Sequence, residues 1–209
     1  MKILDLTFPT PDQNLACDAT LLDQCEQNGA EEALRFWAPE NYFVVLGYSN
    51  KPEEEAHLHF CEKNKIPVLR RISGGGTILQ GPGCLNYSLI LKIKNHAGLE
   101  SVTSTNRFVM QKHAKALSGL LKQAVEVSGH TDLTLNRLKF SGNAQRRKRN
   151  AVLFHGTFLL QFDMTLIEKT LKIPPKQPAY RNNRPHREFL MNLDMPQEMI
   201  KKTLEGIWL

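Results

Sequence analysis

The sequence predicts an α+β or mixed α/β fold, and three observations support this prediction. Stretches with helical spacing and stretches with strand-like alternation both occur, but they do not follow a strict β–α–β order. Residues 132–135 and 138–141 flank Asn136 and Arg137, a pair placed to form the two-residue turn of an antiparallel hairpin. The chain has 209 residues, 41% of them hydrophobic, which is enough to bury one core. We therefore expect one domain over residues 1–209.

The first third of the chain alternates predicted helices with predicted strands. The helices are expected over residues 14–27 and 53–63, and the strands over residues 42–46 and 66–69. Apolar residues recur at helical spacing in the first helix, and Asp12 is placed to cap its start. The first strand ends at Gly47, whereas the second delivers Arg70 and Arg71 to a glycine-rich loop over residues 73–83.

The remaining two thirds begin with an alternating strand over residues 85–93. One of its faces carries Leu85, Tyr87, Leu89, Leu91 and Ile93, and the other carries Asn86, Ser88 and Lys92. A long helix with an apolar stripe over residues 108–124 follows, with Ser104 or Thr105 as its cap and Gly129 just past its end. Residues 152–162 are apolar on both faces, as in a covered central strand. We expect the basic, proline-containing residues 165–209 to belong to the same domain, and no separate accessory domain.

Charge, cysteine content and hydropathy restrict the class of protein. The formal net charge of +6 favours an anionic partner, whether a nucleic acid, a nucleotide or an acidic protein surface. The four cysteines form no C-x-x-C pair and no zinc-site spacing, so we expect reduced thiols, three of them in helical stretches. The start lacks the apolar segment of a signal peptide, and no apolar run approaches the ~18 residues that span a bilayer. A cytoplasmic location without membrane contact is predicted.

The glycine-rich loop between two predicted strands is the strongest local motif. It contains five glycines within ten residues, and it follows directly after Arg70 and Arg71. Such a backbone can approach a ligand closely, and successive N–H groups in it can form a concave anion site. The spacing matches neither the P-loop nor the Rossmann fingerprint. The loop therefore favours anion or nucleotide binding, with a long hairpin loop that binds no ligand as the alternative.

A second motif lies in residues 138–160, around Lys139. This lysine stands between Leu138 and Phe140 in a short strand and points away from them. By itself it would be a solvent-facing lysine. Gly142 just after it, and His155 on the returning strand, suggest instead a cation beside a close backbone approach.

Together these motifs resemble the lipoate–protein ligase family, which is related to biotin ligases and octanoyl transferases. The resemblance rests on RRISGGGT, LNYS, LKFSGNAQ and FHGTFLL, which occur in the family's order and span roughly residues 30–165. It implies a biotin/lipoate-ligase-like catalytic domain, with a mixed sheet flanked by helices.

The resemblance also implies roles for individual residues. Lys139 corresponds to the lysine that contacts the acyl carbonyl and the adenylate phosphate, a role in which a preorganised positive charge is effective. Asp132 corresponds to an acidic position that helps to hold Mg²⁺. The remaining positions are implied to bind substrate or adenylate, and they are Arg70, Arg71, Gly74, Gly75, Gly76, Asn86, Gly142, Asn143, Ala144 and His155.

The implied reaction is an ATP-dependent ligation in two steps. The lipoate carboxylate attacks the α-phosphate of ATP, with Mg²⁺ as the accompanying ion, and a lysine of an acceptor protein then takes the acyl group from lipoyl-AMP. The implied acceptor is a lipoyl domain, either an H protein or a dehydrogenase subunit of the E2 type. A separate accessory protein is left open as a further partner, and no nucleic acid is expected.

The sequence departs from the family pattern where Gln80 and Gly81 stand in place of a usual His-Asp pair. One alternative is a cysteine-dependent octanoyl or lipoyl transferase, for which Cys84 in the loop is the candidate, because a thiol near two arginines can have a lowered pKa. A nucleic-acid-binding protein is an alternative from another class. Its candidate contacts are Arg146, Arg147, Lys148, Arg149, Arg181, Arg184, His186 and Arg187. We hypothesise instead that these basic residues dock an acidic acceptor or ATP phosphates.

Overall fold

The computed structural model describes residues 1–27 and 30–209. The strands along these residues are β1 (Lys2–Asp5), β2 (Ala33–Trp37), β3 (Phe43–Leu46), β4 (Val68–Arg70), β5 (Ile78–Gln80), β6 (Cys84–Lys92), β7 (Glu126–Ser128), β8 (Asp132–Leu135), β9 (Leu138–Arg147) and β10 (Ala151–Leu159). The α-helices are α1 (Pro11–Glu26), α2 (Pro52–Glu55), α3 (Leu58–Lys63), α4 (Val102–Leu121), α5 (Met164–Thr170), α6 (His186–Phe189) and α7 (Gln197–Trp208). None of the helices in the described part of the chain is long and apolar enough to cross a membrane.

The strands form two sheets. The large sheet has the order β1-β2-β6-β10-β9-β8-β7, and the small sheet has the order β4-β3-β5. Both sheets are mixed, because β1 pairs with β2 and β3 pairs with β4 in parallel, whereas the other pairs are antiparallel. The predicted mixed α/β architecture is therefore confirmed.

The two faces of the large sheet are covered by different elements. Helices α4 and α7 pack on one face, where Leu117, Leu204 and Trp208 join the main core. Helix α1 packs on the other face through Leu22. The small sheet lies on the same side as α1, because Trp37 of β2 packs with residues of β3. The functional site described below lies on this second face.

Strand β6 shows the consequence of covering both faces of the large sheet. The prediction gave it one apolar face and one polar face, but Asn86 and Ser88 on the polar face are 3% and 0% exposed. Their face is covered by α1 and the small sheet rather than by solvent, so the polar residues meet other polar groups inside the protein.

The hairpin between β8 and β9 confirms the predicted turn. Asn136 and Arg137 have φ angles of 51° and 65°, and positive φ at both positions is the geometry of a type I′ turn. Strand β9 is longer than predicted and continues to Arg147, so that Gly142, Asn143 and Ala144 lie within a paired strand.

The predicted starts of the two long helices were wrong by about one turn. Helix α1 is capped by Thr10 in a capping box with Gln13, and Pro11 occupies its first turn, so Asp12 lies inside the helix. Helix α4 is capped by Ser101 rather than by Ser104 or Thr105. Gly129 lies between β7 and β8, whereas Lys122, with a φ of 54°, ends α4.

Several short elements were not predicted from the sequence. The helix expected over residues 53–63 divides into α2 and α3, because Ala56 forms an extended bridge with Leu171 between them. Strands β1, β2, β5 and β7 were missed, and so was α5. Strand β2 has no alternating pattern, since all its residues are buried, including the charged Arg35.

The C-terminal segment packs back onto the sheet. The amide of Met191 donates to the carbonyl of Lys139 at 2.9 Å, and Leu190 forms a parallel bridge with the same residue. Lys201 of α7 forms an ion pair with Asp5 of β1 at 2.8 Å. These contacts tie both ends of the segment to the large sheet.

Candidate functional site

The site lies on the face of the large sheet that is turned toward α1 and the small sheet. Residues paired across neighbouring strands present their side chains to the same side. Two such rows cross the face, one formed by Trp37, Asn86, Thr157 and Gly142 and the next by Arg35, Ser88, His155 and Ala144. The register thus brings Asn86, Gly142, Ala144 and His155, all predicted site residues, onto one face.

The glycine loop crosses this face opposite β9. Gly74, Gly75 and Gly76 are exposed, and within the described residues their amide N–H groups donate no hydrogen bond. Gly75 has a φ of 91°, and a Cβ built on it would lie 3.0 Å from Nη2 of Arg71 and 3.6 Å from Cβ of Ala144. The loop therefore has the exposed, unpaired N–H groups that an anion site requires.

Arg71 holds this loop from inside the protein. Its guanidinium donates to the carbonyl oxygens of Gly74 and Gly76, at 2.7 and 2.8 Å, and to Oγ of Ser73. Burial lowers the pKa of Arg71 to about 10, an effect that Glu55 partly offsets. Because Arg71 binds the carbonyl groups of the loop, the N–H groups remain available for a ligand.

Arg70 has a similar role on the outside of the loop. Its Nη1 donates to the carbonyl oxygens of Gly47, Tyr48 and Asn50, at 2.8 to 2.9 Å. A Cβ on Gly47 would collide with the carbonyl oxygen of Gly75, so the two loops lie in direct contact. Both predicted arginines thus organise backbone in this structure.

His155 connects the sheet to the glycine loop. Its Nε2 lies 2.6 Å from Oγ of Ser73, and its Nδ1 lies 3.7 Å from Oδ2 of Asp18 in α1. Asp18 in turn accepts from Nη1 of Arg35 at 2.7 Å. Sequence analysis selected His155 but not Ser73, Asp18 or Arg35.

Asn86 belongs to a buried amide cluster. Its side chain exchanges two hydrogen bonds with Gln80, at 2.7 and 3.0 Å, and its Oδ1 also accepts from Thr157 at 2.6 Å. All three side chains are less than 9% exposed. Gln80, whose place in the sequence departs from the family pattern, thus fastens β5 of the small sheet to β6 and β10 of the large one.

Lys139 lies at the end of the face, beside Asp132 and Tyr180. Its Nζ is 2.7 Å from Oδ1 of Asp132, and Oδ2 of Asp132 accepts from the Tyr180 hydroxyl at 2.7 Å. Burial and the carboxylate of Asp132 raise the pKa of Tyr180. A Cβ on Gly142 would lie 2.8 Å from Nζ of Lys139, so a side chain there would compete with the lysine for space.

Asn143 does not share this face. Its Oδ1 accepts from the Tyr87 hydroxyl at 2.7 Å, and its Nδ2 donates to the carbonyl of Thr131 at 2.6 Å. A Cβ on Gly156 would collide with the Asn143 side chain. Because alternate residues of a strand point to opposite sides, Gly142 and Ala144 face the cleft whereas Asn143 faces the core beneath α4.

Cys84 is not placed as a nucleophile. It begins β6 rather than lying in the open loop, and its side chain is 3% exposed. Burial raises the pKa of the Cys84 thiol to about 12. The expectation of a lowered pKa was therefore wrong, because the arginines of the loop bind backbone carbonyls and the thiol is surrounded by apolar residues of the second core.

The basic residues of the C-terminal segment are mostly structural. Arg181 is 5% exposed, and its guanidinium lies 4.8 Å above the ring of Phe189, with Arg184 at 5.3 Å. His186 is 8% exposed, and burial, Arg181 and Lys139 lower its pKa to about 4. Of this group only Arg187 is exposed, so the docking hypothesis for Arg181 and His186 was wrong.

The basic stretch over residues 146–149, where β9 ends, is more accessible. Arg146 and Arg149 are exposed, and the guanidinium of Arg146 lies 5.5 Å from the ring centroid of Tyr48. Within this stretch, Arg146 therefore borders the cleft on the side of the glycine loop.

The metal prediction rests on Asp132 alone. Among residues 1–27 and 30–209, no group of three or more His, Cys, Asp or Glu side chains is placed to hold a metal ion. Mg²⁺ commonly uses one or two carboxylates together with substrate phosphates and water, so a single aspartate beside a phosphate site is compatible with it.

The residues around the candidate site to which sequence reasoning gave no role are Asp18, Arg35, Ser73, Gln80, Thr157 and Tyr180, of which only Gln80 was named, as a departure from the family pattern. Ser73 and Gln80 lay inside the selected motif and could have been found there. Asp18 could have been noticed as a charged residue on the apolar side of a predicted helix. Tyr180 lies 48 positions from its partner Asp132, and no local pattern marks it.

Comparison with known proteins places the chain in a family. Residues 10–201 match the family model of the lipoyl protein ligase A/B catalytic domain. Lipoate–protein ligase 1 of Staphylococcus aureus is 28% identical over 201 residues, which cover 96% of this chain and 57% of that protein. Octanoyltransferase LipM of Clostridioides difficile is 28% identical over 177 residues, which cover 76% of this chain and 65% of that protein. The chain thus spans about half to two thirds of the length of these relatives.

Solved structures agree with the predicted fold. A crystal structure of lipoate-protein ligase A bound with ATP superposes with a TM-score of 0.84 at 24% identity, covering 99% of this chain and 83% of that one. A bi-partite lipoate protein ligase from Thermoplasma acidophilum, described with its E2 lipoyl domain, gives a TM-score of 0.83 at 24% identity, covering 99% of this chain and 81% of that one. The ligase-like fold predicted from the motifs is therefore confirmed, and the chain belongs to the lipoyl protein ligase A/B catalytic domain family.

Proposed function

We propose that this chain catalyses ATP-dependent ligation of lipoate to a lysine of an acceptor protein, through lipoyl-AMP. The observation that carries the proposal is the glycine loop, in which Arg71 binds the carbonyl groups of Gly74 and Gly76 while the N–H groups stay unpaired. Such a loop suits the carboxylate of free lipoate and the anionic phosphate of the acyl-adenylate. The names of the relatives and the ATP-bound neighbour support the choice of lipoate and ATP.

In the first step, an oxygen of the lipoate carboxylate attacks the α-phosphorus of ATP, and pyrophosphate leaves. Gly142 and Ala144 face the loop from β9, and Lys139 lies beside Gly142. Residues 142 and 144 lie about 7 Å apart along a strand, so the glycine loop and Lys139 lie beside the same short segment of β9. We assign to Lys139 the stabilisation of negative charge on the phosphate and acyl oxygens. Asp132 is the proposed ligand of Mg²⁺ that accompanies ATP.

In the second step, the amine of the acceptor lysine attacks the acyl carbonyl, AMP leaves and the new amide forms. Attack requires the neutral amine, so the lysine ammonium group releases one proton to solvent before attack, and the nitrogen releases a second proton as the amide forms. No covalent bond to the enzyme is needed, which agrees with the burial of Cys84. We assign structural support of the site to Asn86 and Asn143, because both side chains are engaged in hydrogen bonds away from the open cleft.

The proposed partner is a lipoyl domain with an acidic surface, of the H-protein or E2 type. Exposed Arg146 beside the cleft, with exposed Arg149 in the same basic stretch, supports an electrostatic contact, whose strength should fall with ionic strength. Acceptor modification that does not change between low and high salt would contradict this contact. A separate accessory protein remains part of the proposal, and the bi-partite relative supports its inclusion. We further propose one catalytic domain over residues 1–209 and a cytoplasmic location.

The second candidate function is acyl transfer without ATP, which the similarity to LipM favours. The deciding experiment measures lipoate-dependent ATP–pyrophosphate exchange on the purified protein, beside octanoyl transfer from a carrier protein. Exchange without transfer supports the ligase. Transfer without exchange, abolished by Cys84→Ala, would establish the transferase instead.

A further inference from the structure

A continuous line of polar side chains connects helix α1 to the glycine loop. Arg35 donates to Asp18 at 2.7 Å, Asp18 lies 3.7 Å from Nδ1 of His155, and Nε2 of His155 lies 2.6 Å from Ser73 Oγ. Ser73 Oγ also accepts from Nε of Arg71 at 3.0 Å. Arg71 then binds the loop carbonyls, so the line ends at the proposed adenylate site.

The donors along this line are directed toward Asp18 from both ends. Arginine can only donate, so Ser73 Oγ accepts from Arg71, and its single hydroxyl proton is free to be given to Nε2 of His155. The remaining ring proton of a neutral His155 is then on Nδ1, which faces Asp18. This assignment directs the Nδ1 proton toward Oδ2 of Asp18, a buried oxygen that makes no hydrogen bond within the described residues and lies 3.7 Å from Nδ1.

Arg35, at the end of this line that lies against α1, is held by several contacts. Arg35 is 0% exposed and donates to the carbonyls of Leu6 and Asn14 as well as to Asp18. Its guanidinium also lies 5.3 Å from the ring of Trp37. Removing two charges from water is costly, and a buried ion pair by itself contributes little to stability. A requirement to orient His155 explains the pair in this position.

We propose that Asp18 is a positioning residue, which orients His155 and, through Ser73, fixes the Gly74–Gly76 backbone that receives the acyl-adenylate. The inference rests on the proposed function and deepens it, because it assigns acyl-group binding to a network that begins in α1. Ser73 transmits the effect, since its hydroxyl touches both His155 and Arg71.

The first test is a double-mutant cycle on lipoate-dependent pyrophosphate exchange. Asp18→Asn and Ser73→Ala should each raise the KM for lipoate by about tenfold, the equivalent of one lost hydrogen bond, and change kcat by less than about threefold. Because both act through the same loop, the double variant should be no worse than the more affected single variant. Multiplication of the two effects, to about a hundredfold, would overturn the proposal.

Asp23→Asn is the matched control. Asp23 lies in the same helix, is half exposed and pairs with Lys148 on the surface. The same substitution there should leave the KM for lipoate unchanged. An equal rise in both variants would show a general effect of charge on α1 and would count against a specific role for Asp18.

The second test does not require activity. Nitrogen-15 spectra of the His155 ring should show the proton on Nδ1 in the wild-type protein, and Asp18→Ala should shift both the ring signals and the amide signals of Gly74–Gly76. A proton on Nε2 of His155, or loop amide signals that do not shift in Asp18→Ala, would refute the proposed network. If the wild-type chain alone shows no exchange, these spectra still decide whether the network holds the loop, independently of the proposed function.

Discussion

The Nζ of Lys139 and Oδ1 of Asp132 lie 2.7 Å apart, across a hairpin that turns at Asn136 and Arg137. Asp132 also accepts a hydrogen bond from the Tyr180 hydroxyl. Lys139 is therefore paired with a carboxylate whose negative charge is partly offset by this second donor. Its side chain is 22% exposed, which leaves it accessible to a ligand. This geometry presents a fixed positive charge at the cleft without burying it.

Lys139→Ala should abolish adenylate formation while leaving the fold intact. Removal of one preorganised charge from a developing oxyanion typically costs about 10² to 10³ in rate, and we expect at least a hundredfold loss of pyrophosphate exchange. The melting temperature should change little, because Asp132 retains its bond to Tyr180. Lys202→Ala, at an exposed position of α7, is the control. Near-normal exchange in Lys139→Ala would overturn the mechanism.

Cys84→Ala should retain pyrophosphate exchange. With a pKa of about 12, only about one thiol in 10⁴ is ionised at pH 8, too few for a nucleophile that acts as a thiolate. The smaller side chain should cost about 1 kcal/mol of unfolding free energy in the apolar core. Thermal denaturation and exchange on the same sample measure both effects. Loss of activity in a stable variant would favour the transferase.

Gly75→Ala and Gly76→Ala should separate backbone strain from ligand contact. Gly75 has a φ of 91°, so alanine there should cost about 1–3 kcal/mol of stability and disturb Arg71. A Cβ on Gly76 meets no atom within 4 Å, so stability should be unaffected. If the loop receives the acyl-adenylate, Gly76→Ala should still raise the KM for lipoate. Unchanged kinetics in Gly76→Ala would argue that the ligand binds elsewhere.

Tyr180→Phe should raise the KM for ATP by about threefold and reduce stability by about 1 kcal/mol, the usual contribution of one hydrogen bond. Without the hydroxyl, the charge of Asp132 is less neutralised and holds Lys139 more strongly, so the lysine becomes less available to phosphate. Steady-state kinetics with varied ATP measure this effect. Tyr42→Phe, in the aromatic contact with Phe162, is the control. A fall in the KM for ATP would contradict the explanation.

Stability should decline with acid because of His113. This side chain is 0% exposed, its Nε2 accepts from Trp208 at 2.9 Å, and burial lowers its pKa to about 3. An unfolded histidine titrates near pH 6.5, so below that value only the unfolded state gains the proton. The stability is complete above about pH 6.5 and should fall by about 2–3 kcal/mol by pH 4.5. Denaturant unfolding should show a weaker pH dependence in His113→Gln, and an equal slope would contradict the assignment.

The motifs indicated the family and supplied candidate residues for the site. The glycine loop and Lys139 with His155 could be selected from residue type and local spacing, which a sequence displays directly, whereas Asp132 was selected through the family resemblance. The type I′ hairpin was predictable for the same reason, since a two-residue turn is decided by its own backbone preferences.

Other features depended on contacts between distant segments. Burial of Cys84, Arg181 and His186 follows from how the C-terminal segment and the small sheet pack. Residue type suggested exposure for Arg181 and His186, and the place of Cys84 next to the glycine loop suggested an accessible thiol. The register alone decides that Asn143 faces the core while its neighbours Gly142 and Ala144 face the cleft.

The sequence by itself therefore determined the family and the main candidate residues, because local patterns encode turns, loops and residue types. Only the tertiary structure decided which residues contact one another. His155 meets Ser73 across 82 positions, and Tyr180 meets Asp132 across 48. Such pairings arise from sheet order and packing, which depend on the whole chain and leave no local periodicity.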